Sequence, residues 1–291
     1  MKKKIITIII SAAVIGSIIG LSVMTKNKNQ YIPVKIAAAT KGDIQEYLST
    51  TALIESQDVK QYYASQAKID KVNVKVGDAV KEGDVLVTYD SQDLNTSPKQ
   101  TISNIVADRA GVVTSVNAVE GSIGNQQQAA LVTENLENLK AVLSVSKYDA
   151  NKIKLNQNAI ISSNGNEYHG IVSYIAPIAQ SSQNLNSGDA TLEVDVTITD
   201  KSPQLKIGFD TDINILLNEV KNVLKVPVES IKTDKTGKSV VYIVKNNKAV
   251  ESAVKVGIQS DTEAQITDGV ELGEKVILNP TDEIQNGTLV K

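Results

Sequence analysis

The 291-residue sequence has no cysteine and no tryptophan, and only one each of phenylalanine (Phe209), histidine (His169) and arginine (Arg109). Each absence removes a class of function. Without cysteine there is no disulfide, no thiolate metal site, no thiol nucleophile and no residue to lipidate as a lipoprotein anchor. One arginine among mostly lysine cations, with a net charge of −3, argues against bidentate reading of phosphates or bases and against a nucleic-acid partner. With 3% aromatics, the core must be built from Val, Ile and Leu, and the β-branched share of that set favours strands. Beyond the N-terminus, no stretch of twelve residues carries a convincing helical stripe.

The first thirty residues, MKKKIITIIISAAVIGSIIGLSVMTKNKNQ, are of a different kind. Lys2, Lys3 and Lys4 precede an uncharged run from Ile5 to Met24. As a helix that run spans about 30 Å, the thickness of a bilayer core. It is longer than the apolar region of a cleavable signal and offers no clear small-x-small site. The expectation is an uncleaved single-pass transmembrane anchor with a cytoplasmic N-terminus, placing the bulk of the chain outside the cytoplasm.

The chain beyond residue 30 reads as mainly β. KAVLSVSKY, ATLEVDVTITD, DINILLNEV and SVVYIVKNNKAVESAVKVG alternate apolar and polar residues, and Asn246-Asn247 predicts a hairpin turn. Short helical turns are expected near SKYDANKIK and TKGDIQEYL. An internal repeat sets Ala67–Gly77 on Gly111–Gly121: Ile69 falls on Val113, Val72 on Val116, Asn73 on Asn117, and Gly77 on Gly121. Each half is a strand running into a glycine turn that calls for positive φ. Gly77, Gly83, Gly121 and Gly124 mark those turns.

Two such halves resemble a biotinyl-lipoyl carrier domain, a flattened β-barrel with quasi-twofold symmetry. A carrier presents a modified lysine at the hairpin between its halves. Here Asp90-Ser91-Gln92-Asp93 stands there, and Lys99 lies after Pro98 in a polar linker without a carrier's flanking residues. The carrier role is excluded and no cofactor is expected. A split lipoyl domain behind a signal anchor resembles instead the membrane fusion proteins of haemolysin-secretion (HlyD) and macrolide-exporter (MacA) type. IVADRAGVVTSVNAVEGSIG is similar to the family's second lipoyl half, with Ala107-Asp108 where Ala-Pro is usual. GIVSYIAPIA and LKIGFDTDINI resemble its β-barrel, with Gly208-Phe209 where Gly-Met is common. LKVPVESI, with the strands after it and DGVELGEKVIL, matches its membrane-proximal domain.

The resemblance implies an N-terminal transmembrane helix (residues 1–30) followed by an elongated, modular β protein. Residues 31–58 with 222–291 would form the membrane-proximal β domain, and 59–94 with 105–139 the split lipoyl-like domain. Residues 140–221 would form the β-barrel, and 95–104 a short linker where relatives insert a long α-helical hairpin. It further implies a non-enzymatic adaptor subunit of an export pump, six copies forming a ring on the permease and ATPase of an ABC transporter. The alternatives are an adaptor of a proton-driven RND-type pump and an anchored cell-surface binding protein without a transporter. By the same resemblance, Gln126, Gln127 and Gln128 occupy a loop that in exporter adaptors forms a constriction by amide hydrogen bonds between protomers.

No catalytic constellation stands beside this. His169, in NEYHG, has no sequence partner for base or metal chemistry and reads as a strand-end residue. Asp210 and Asp212 lack the glycine and distal glutamate of a calcium loop, Ser146-Lys147 lacks a nucleophile context, and Gly165 and Gly170 flank a turn and form no phosphate loop.

Overall fold

The computed structural model describes residues 31–91, 101–181, 190–201 and 204–291. Strands dominate, and among the described residues the one α-helix is the single turn Lys147–Ala150, inside the SKYDANKIK stretch. Ser146 caps it, its side chain accepting from the Tyr148 and Asp149 N–H groups. The other expected turn is not helical. TKGDIQEYL opens the strand Thr40–Ser56, whose positions Ala52, Ile54 and Ser56 are buried in alternation. Sheet burial of that period-2 set outweighs the weak local preference. Among the described residues no helix is long and apolar enough to cross a membrane, and Ile5–Met24 lies outside them.

The chain forms two compact units: residues through Glu46 with Asn218–Lys291, and Tyr47–Leu217. Residues 47–58 belong with the barrel and lipoyl-like part, because Leu53–Ser56 pair antiparallel with Leu139–Val142 in the barrel wall.

Within Tyr47–Leu217, two small sheets face one hydrophobic core. One orders Val59–Tyr62, Leu131–Glu134, Gly111–Val116 and Ala79–Val80; the other orders Lys68–Val72, Val85–Ser91 and Thr101–Val106. Ile69, Leu86, Val87, Val113 and Leu131 fill the space between them. The internal repeat is visible as reciprocal hydrogen bonds. Gly77 N–H donates to Val113 O and Gly121 N–H to Ile69 O, both at 2.8 Å. Val113 N–H donates to Asp78 O, and Ile69 N–H to Ser122 O. Gly77 and Gly121 take φ of 95° and 82°, as the turns require. The strands Val85–Ser91 and Thr101–Val106 stay paired out to Ser91 opposite Thr101, so residues 101–104, expected in the linker, are strand.

The same unit contains a closed barrel. Its wall runs through Asn158–Ser163, Asn166–Ile175, Ala190–Ile198, Leu139–Ser146, the end of Thr40–Ser56 and the start of Asp210–Pro227, and closes where Ala159–Ser162 pair with Asp212–Ile215. Leu139, Ala141, Leu143 and Val145 point inward in strict alternation, joining Val194, Val196, Ile213 and Ile215.

In the other unit, Ser239–Lys245 is buried on both faces. Val241 and Ile243 enter one core with Val226 and Val276, while Tyr242 enters a second with Ile277, Ile284 and Val290. The hairpin at Asn246-Asn247 forms as expected, with both asparagines left-handed (φ 50° and 60°) between the pair Lys245 and Lys248.

Candidate functional site

The second lipoyl half bears the glutamine loop. It runs from the end of Gly111–Val116 to the start of Leu131–Glu134 and is pinned at both roots. On the outgoing side, Asn117 and Ala118 N–H both donate to Ala130 O, and Asn117 Nδ2 donates to Ala129 O at 3.0 Å. On the return side, Ala130 N–H donates to Tyr62 O at 2.7 Å. Midway, Gly124 N–H donates to Ala67 O at 2.8 Å. Gly124 is buried so tightly that a Cβ there would lie 2.4 Å from Ser65 O and 2.7 Å from the Ala64 side chain. That contact presses the loop onto the segment leaving Val59–Tyr62 and lifts the next residues away from it.

Gln126, Gln127 and Gln128 follow directly and are exposed. Gln127 N–H donates to Asn125 Oδ1 at 2.8 Å, closing a tight polar turn. Among the described residues, none of the three side-chain amides has a partner within the chain. Val119 and Ile123, on the same loop, are also strongly exposed, at 65% and 73%. The loop thus offers three amides, each able to donate and accept, beside two bare aliphatic side chains. Such a surface suits hydrogen bonding to another chain.

Below the loop, Asp108 ties the domain together. Its carboxylate meets Lys60 Nζ at 2.5 Å, accepts from Tyr62 Oη at 2.9 Å and lies 3.4 Å from Arg109 Nε. The hydrogen bond from Lys60 is the largest influence on Asp108; burial opposes it, but the Tyr62 bond and the charges of Lys60 and Arg109 add to it and hold the pKa below its ordinary value.

The remaining candidates are not brought together. His169 Nδ1 lies 2.9 Å from Asp200 Oδ2, and His169 N–H donates to the same oxygen at 2.8 Å. That backbone bond first, then the ring, lowers the Asp200 pKa. The pair is 73% and 40% exposed, and His169 lies within the strand Asn166–Ile175, opposite Ile160, and not at a strand end as expected; Thr199 Oγ1 donates to His169 O, and among the described residues no serine or threonine hydroxyl is bonded to the ring. Asp210 and Asp212 line a small polar hollow with Thr51, Ser162 and Asn164. Among the described residues no grouping of three or more His, Cys, Asp or Glu could hold a metal ion. A groove of about 770 Å³ in the other unit is lined by groups that satisfy one another: Lys232 pairs with Asp282 at 2.7 Å, and Tyr242 Oη donates to Glu251 at 2.8 Å. Burial first, then that bond, pushes the Tyr242 hydroxyl up to about 12.

Sequence reasoning missed one charged group in the barrel wall. Lys140, Asp195 and Glu55 come from three neighbouring strands, with Lys140 Nζ 2.8 Å from Asp195 and 3.6 Å from Glu55. The chain positions are far apart, and only the strand register unites them.

Three models of one family match the chain: the YknX barrel-sandwich hybrid domain over 60–133, the YknX-like beta-barrel domain over 139–215, and the YknX C-terminal permuted SH3-like domain over 223–291. A putative efflux system component, YknX of Bacillus subtilis, is 29% identical over 208 residues, covering 66% of this chain and 54% of the relative. The macrolide export protein MacA of Escherichia coli O157:H7 is 26% identical over 184 residues, covering 60% of this chain and 48% of that protein. The chain spans about half the length of these relatives. In fold it is similar to the crystal structure of MacA from Actinobacillus actinomycetemcomitans, with a TM-score of 0.68 at 19% identity over 84% of this chain and 99% of that one. With all three of its β modules matched in order, the chain belongs to the YknX-like membrane fusion proteins and is homologous to YknX and MacA.

Proposed function

We propose that the protein is the membrane-anchored, extracytoplasmic adaptor of an ABC-type export pump and works as an oligomeric ring, without chemistry of its own. The observation that carries this reading is the glutamine loop: three unpartnered amides held outward on a rigid lipoyl-like scaffold, in a chain whose homologues are named for efflux and macrolide export. Six copies arranged around an axis would bring Gln127 and Gln128 together as a constriction on the exit path. The Ile5–Met24 run supplies the anchor, with the N-terminus cytoplasmic. The unit that would lie nearest the bilayer holds both ends of the described chain side by side: Ile32 N–H donates to Leu289 O, and Val34 N–H to Lys291 O.

The hairpin closed at Ser91 opposite Thr101 favours a pump that releases its cargo locally over one that bridges to a second membrane. It therefore supports an ABC partner ahead of an RND one. Energy for the cycle comes from the partner's ATPase.

The test is affinity purification of the tagged full-length protein from detergent-solubilised membranes, with identification of what accompanies it. A stoichiometric permease and ATPase supports the reading, and a proton-driven partner shifts it to the RND type. A lone monomer in several mild detergents rejects it in favour of a surface-binding protein. For the loop itself, replacing Gln127 and Gln128 by Ala should change transport or the partner's ATPase rate, and unchanged values would reject the constriction.

A further inference from the structure

The register that lays Gly77 on Gly121 continues past them. It lays Lys81-Glu82-Gly83-Asp84 on Asn125-Gln126-Gln127-Gln128. Around these turns the two halves exchange equivalent bonds faithfully: Asn73 N–H donates to Leu86 O and Asn117 N–H to Ala130 O, while Asp78 N–H donates to Lys75 O and Ser122 N–H to Val119 O. At the turns themselves the symmetry ends.

In the first half the turn is bolted to the backbone opposite. Gly83 N–H donates to Ala107 O at 2.8 Å, and Ala107 N–H donates to Asp84 O at 2.9 Å. The turn is closed by Asp84 N–H donating to Lys81 O and by Lys81 N–H donating to the Asp84 carboxylate at 2.8 Å. The equivalent bolts in the second half would join Gln127 and Gln128 to Tyr63, and among the described residues neither forms. Gly83 holds a φ of 91°, whereas Gln127 is not in the left-handed region. Its N–H turns instead onto Asn125 Oδ1. The scaffold therefore holds the glutamine turn at its roots and lets go of its tip, whose form rests on one side chain.

We infer that Asn125 is a positioning residue for the glutamine loop: by accepting the Gln127 N–H it sets the direction in which Gln126, Gln127 and Gln128 project. This role rests on the constriction reading above and deepens it. Losing one hydrogen bond of ordinary strength lowers the ratio of native to displaced loops about fivefold. Asp at position 125 keeps the accepting oxygen and should restore it.

The absence of cysteine makes the test clean, because any introduced thiol is unique. The full-length protein carrying Lys81→Cys and Gln127→Cys is labelled with nitroxides in detergent and diluted with unlabelled protein, so that pulsed EPR reads the distance within one protomer. A single narrow distribution is expected. Adding Asn125→Ala should spread it, with the ratio of native to displaced distances falling about fivefold at an unchanged melting temperature, and adding Asn125→Asp should recover it. An unchanged distribution with Asn125→Ala, or no recovery with Asn125→Asp, overturns the role. A second arm reads the ring: undiluted protein with Gln127→Cys alone is treated with a bis-maleimide. No cross-link between protomers in this background rejects the constriction and the positioning role with it. Cross-linking at full yield with Asn125→Ala added rejects the positioning role alone.

Discussion

Replacing Lys140 by Met should destabilise the barrel more than any comparable change of a surface lysine. The lysine lies on the Leu139–Ser146 strand, bonded at 2.8 Å to Asp195 on Ala190–Ile198, with Glu55 at 3.6 Å on its other side. The Lys140 and Asp195 side chains are 24% and 13% exposed, so little solvent screens the pair. Asp195 Oδ1 is already buried without a partner, and removing the ammonium leaves both carboxylate oxygens unsatisfied. Stripping one member from a fully buried pair costs about 3–5 kcal/mol. With a quarter of the lysine exposed, solvent screening brings the cost below that range, to about 2–3 kcal/mol. For a unit of this size that lowers the melting temperature by roughly 5–10 °C.

Burial alone would lower the Lys140 pKa, but the bond to Asp195 and the charges of Asp195, Glu55 and Glu193 outweigh it and raise it above the ordinary 10.5. A raised lysine contributes stability fully present below its unfolded pKa and lost as pH rises through the folded one. The native advantage over Lys140→Met is therefore flat through neutrality and shrinks only in strong alkali. Because the loss comes from a stranded carboxylate, the double variant Lys140→Met with Asp195→Leu should recover to within about 1 kcal/mol of native. Calorimetry at pH 7 of all four proteins of this cycle decides it. A single variant within about 0.5 kcal/mol of native, or a double variant no better than the single, refutes the reasoning.

Gly124→Ala should destabilise the lipoyl-like domain by about 2–4 kcal/mol, since its Cβ meets the fixed Ser65 carbonyl and the loss of the bond to Ala67 adds to overpacking; hydrogen exchange of peptides spanning 111–134 reads it locally, and protection equal to native contradicts it. Asn247→Gly should stabilise the hairpin by about 0.5–1 kcal/mol, because glycine takes its φ of 60° without strain, measurable as a higher urea midpoint. Asp108, Asp200, Asp234, Asp282 and Glu274 all have lowered pKa values. Their contribution is present above the ordinary carboxylate pKa and lost as pH falls below it, so melting temperature should be level from pH 7 to about 5 and drop below about 4. A protein equally stable at pH 3 would contradict that sum.

Much of this was readable along the chain, because it depends on neighbours a few residues apart. Alternation placed Leu139, Ala141, Leu143 and Val145 on one face, since a strand turns over every second residue. Asn246-Asn247 announced its hairpin through the left-handed backbone that asparagine tolerates. Gly77 and Gly121 announced the repeat, and their bonds to Val113 and Ile69 are the quasi-twofold axis expressed in hydrogen bonds. The glutamine loop was visible as three consecutive amides after a glycine turn.

What the sequence could not supply was register between distant strands. Thr40–Leu48 has a composition that serves a helical turn as well as a strand, and only pairing within the sheet made it one. The meeting of Lys140, Asp195 and Glu55 follows from which residues stand opposite in three strands, and a shift of one residue would send each side chain to the other face. The release of the glutamine turn is likewise a tertiary fact. Gly83 and Gln127 occupy equivalent places in the repeat, yet only the packing of Gly124 against Ser65, and the bonds that Tyr63 does not make, separate a bolted turn from a free one. Local chain chemistry determined the modules; long-range pairing decided where they carry charge and which loop they leave exposed.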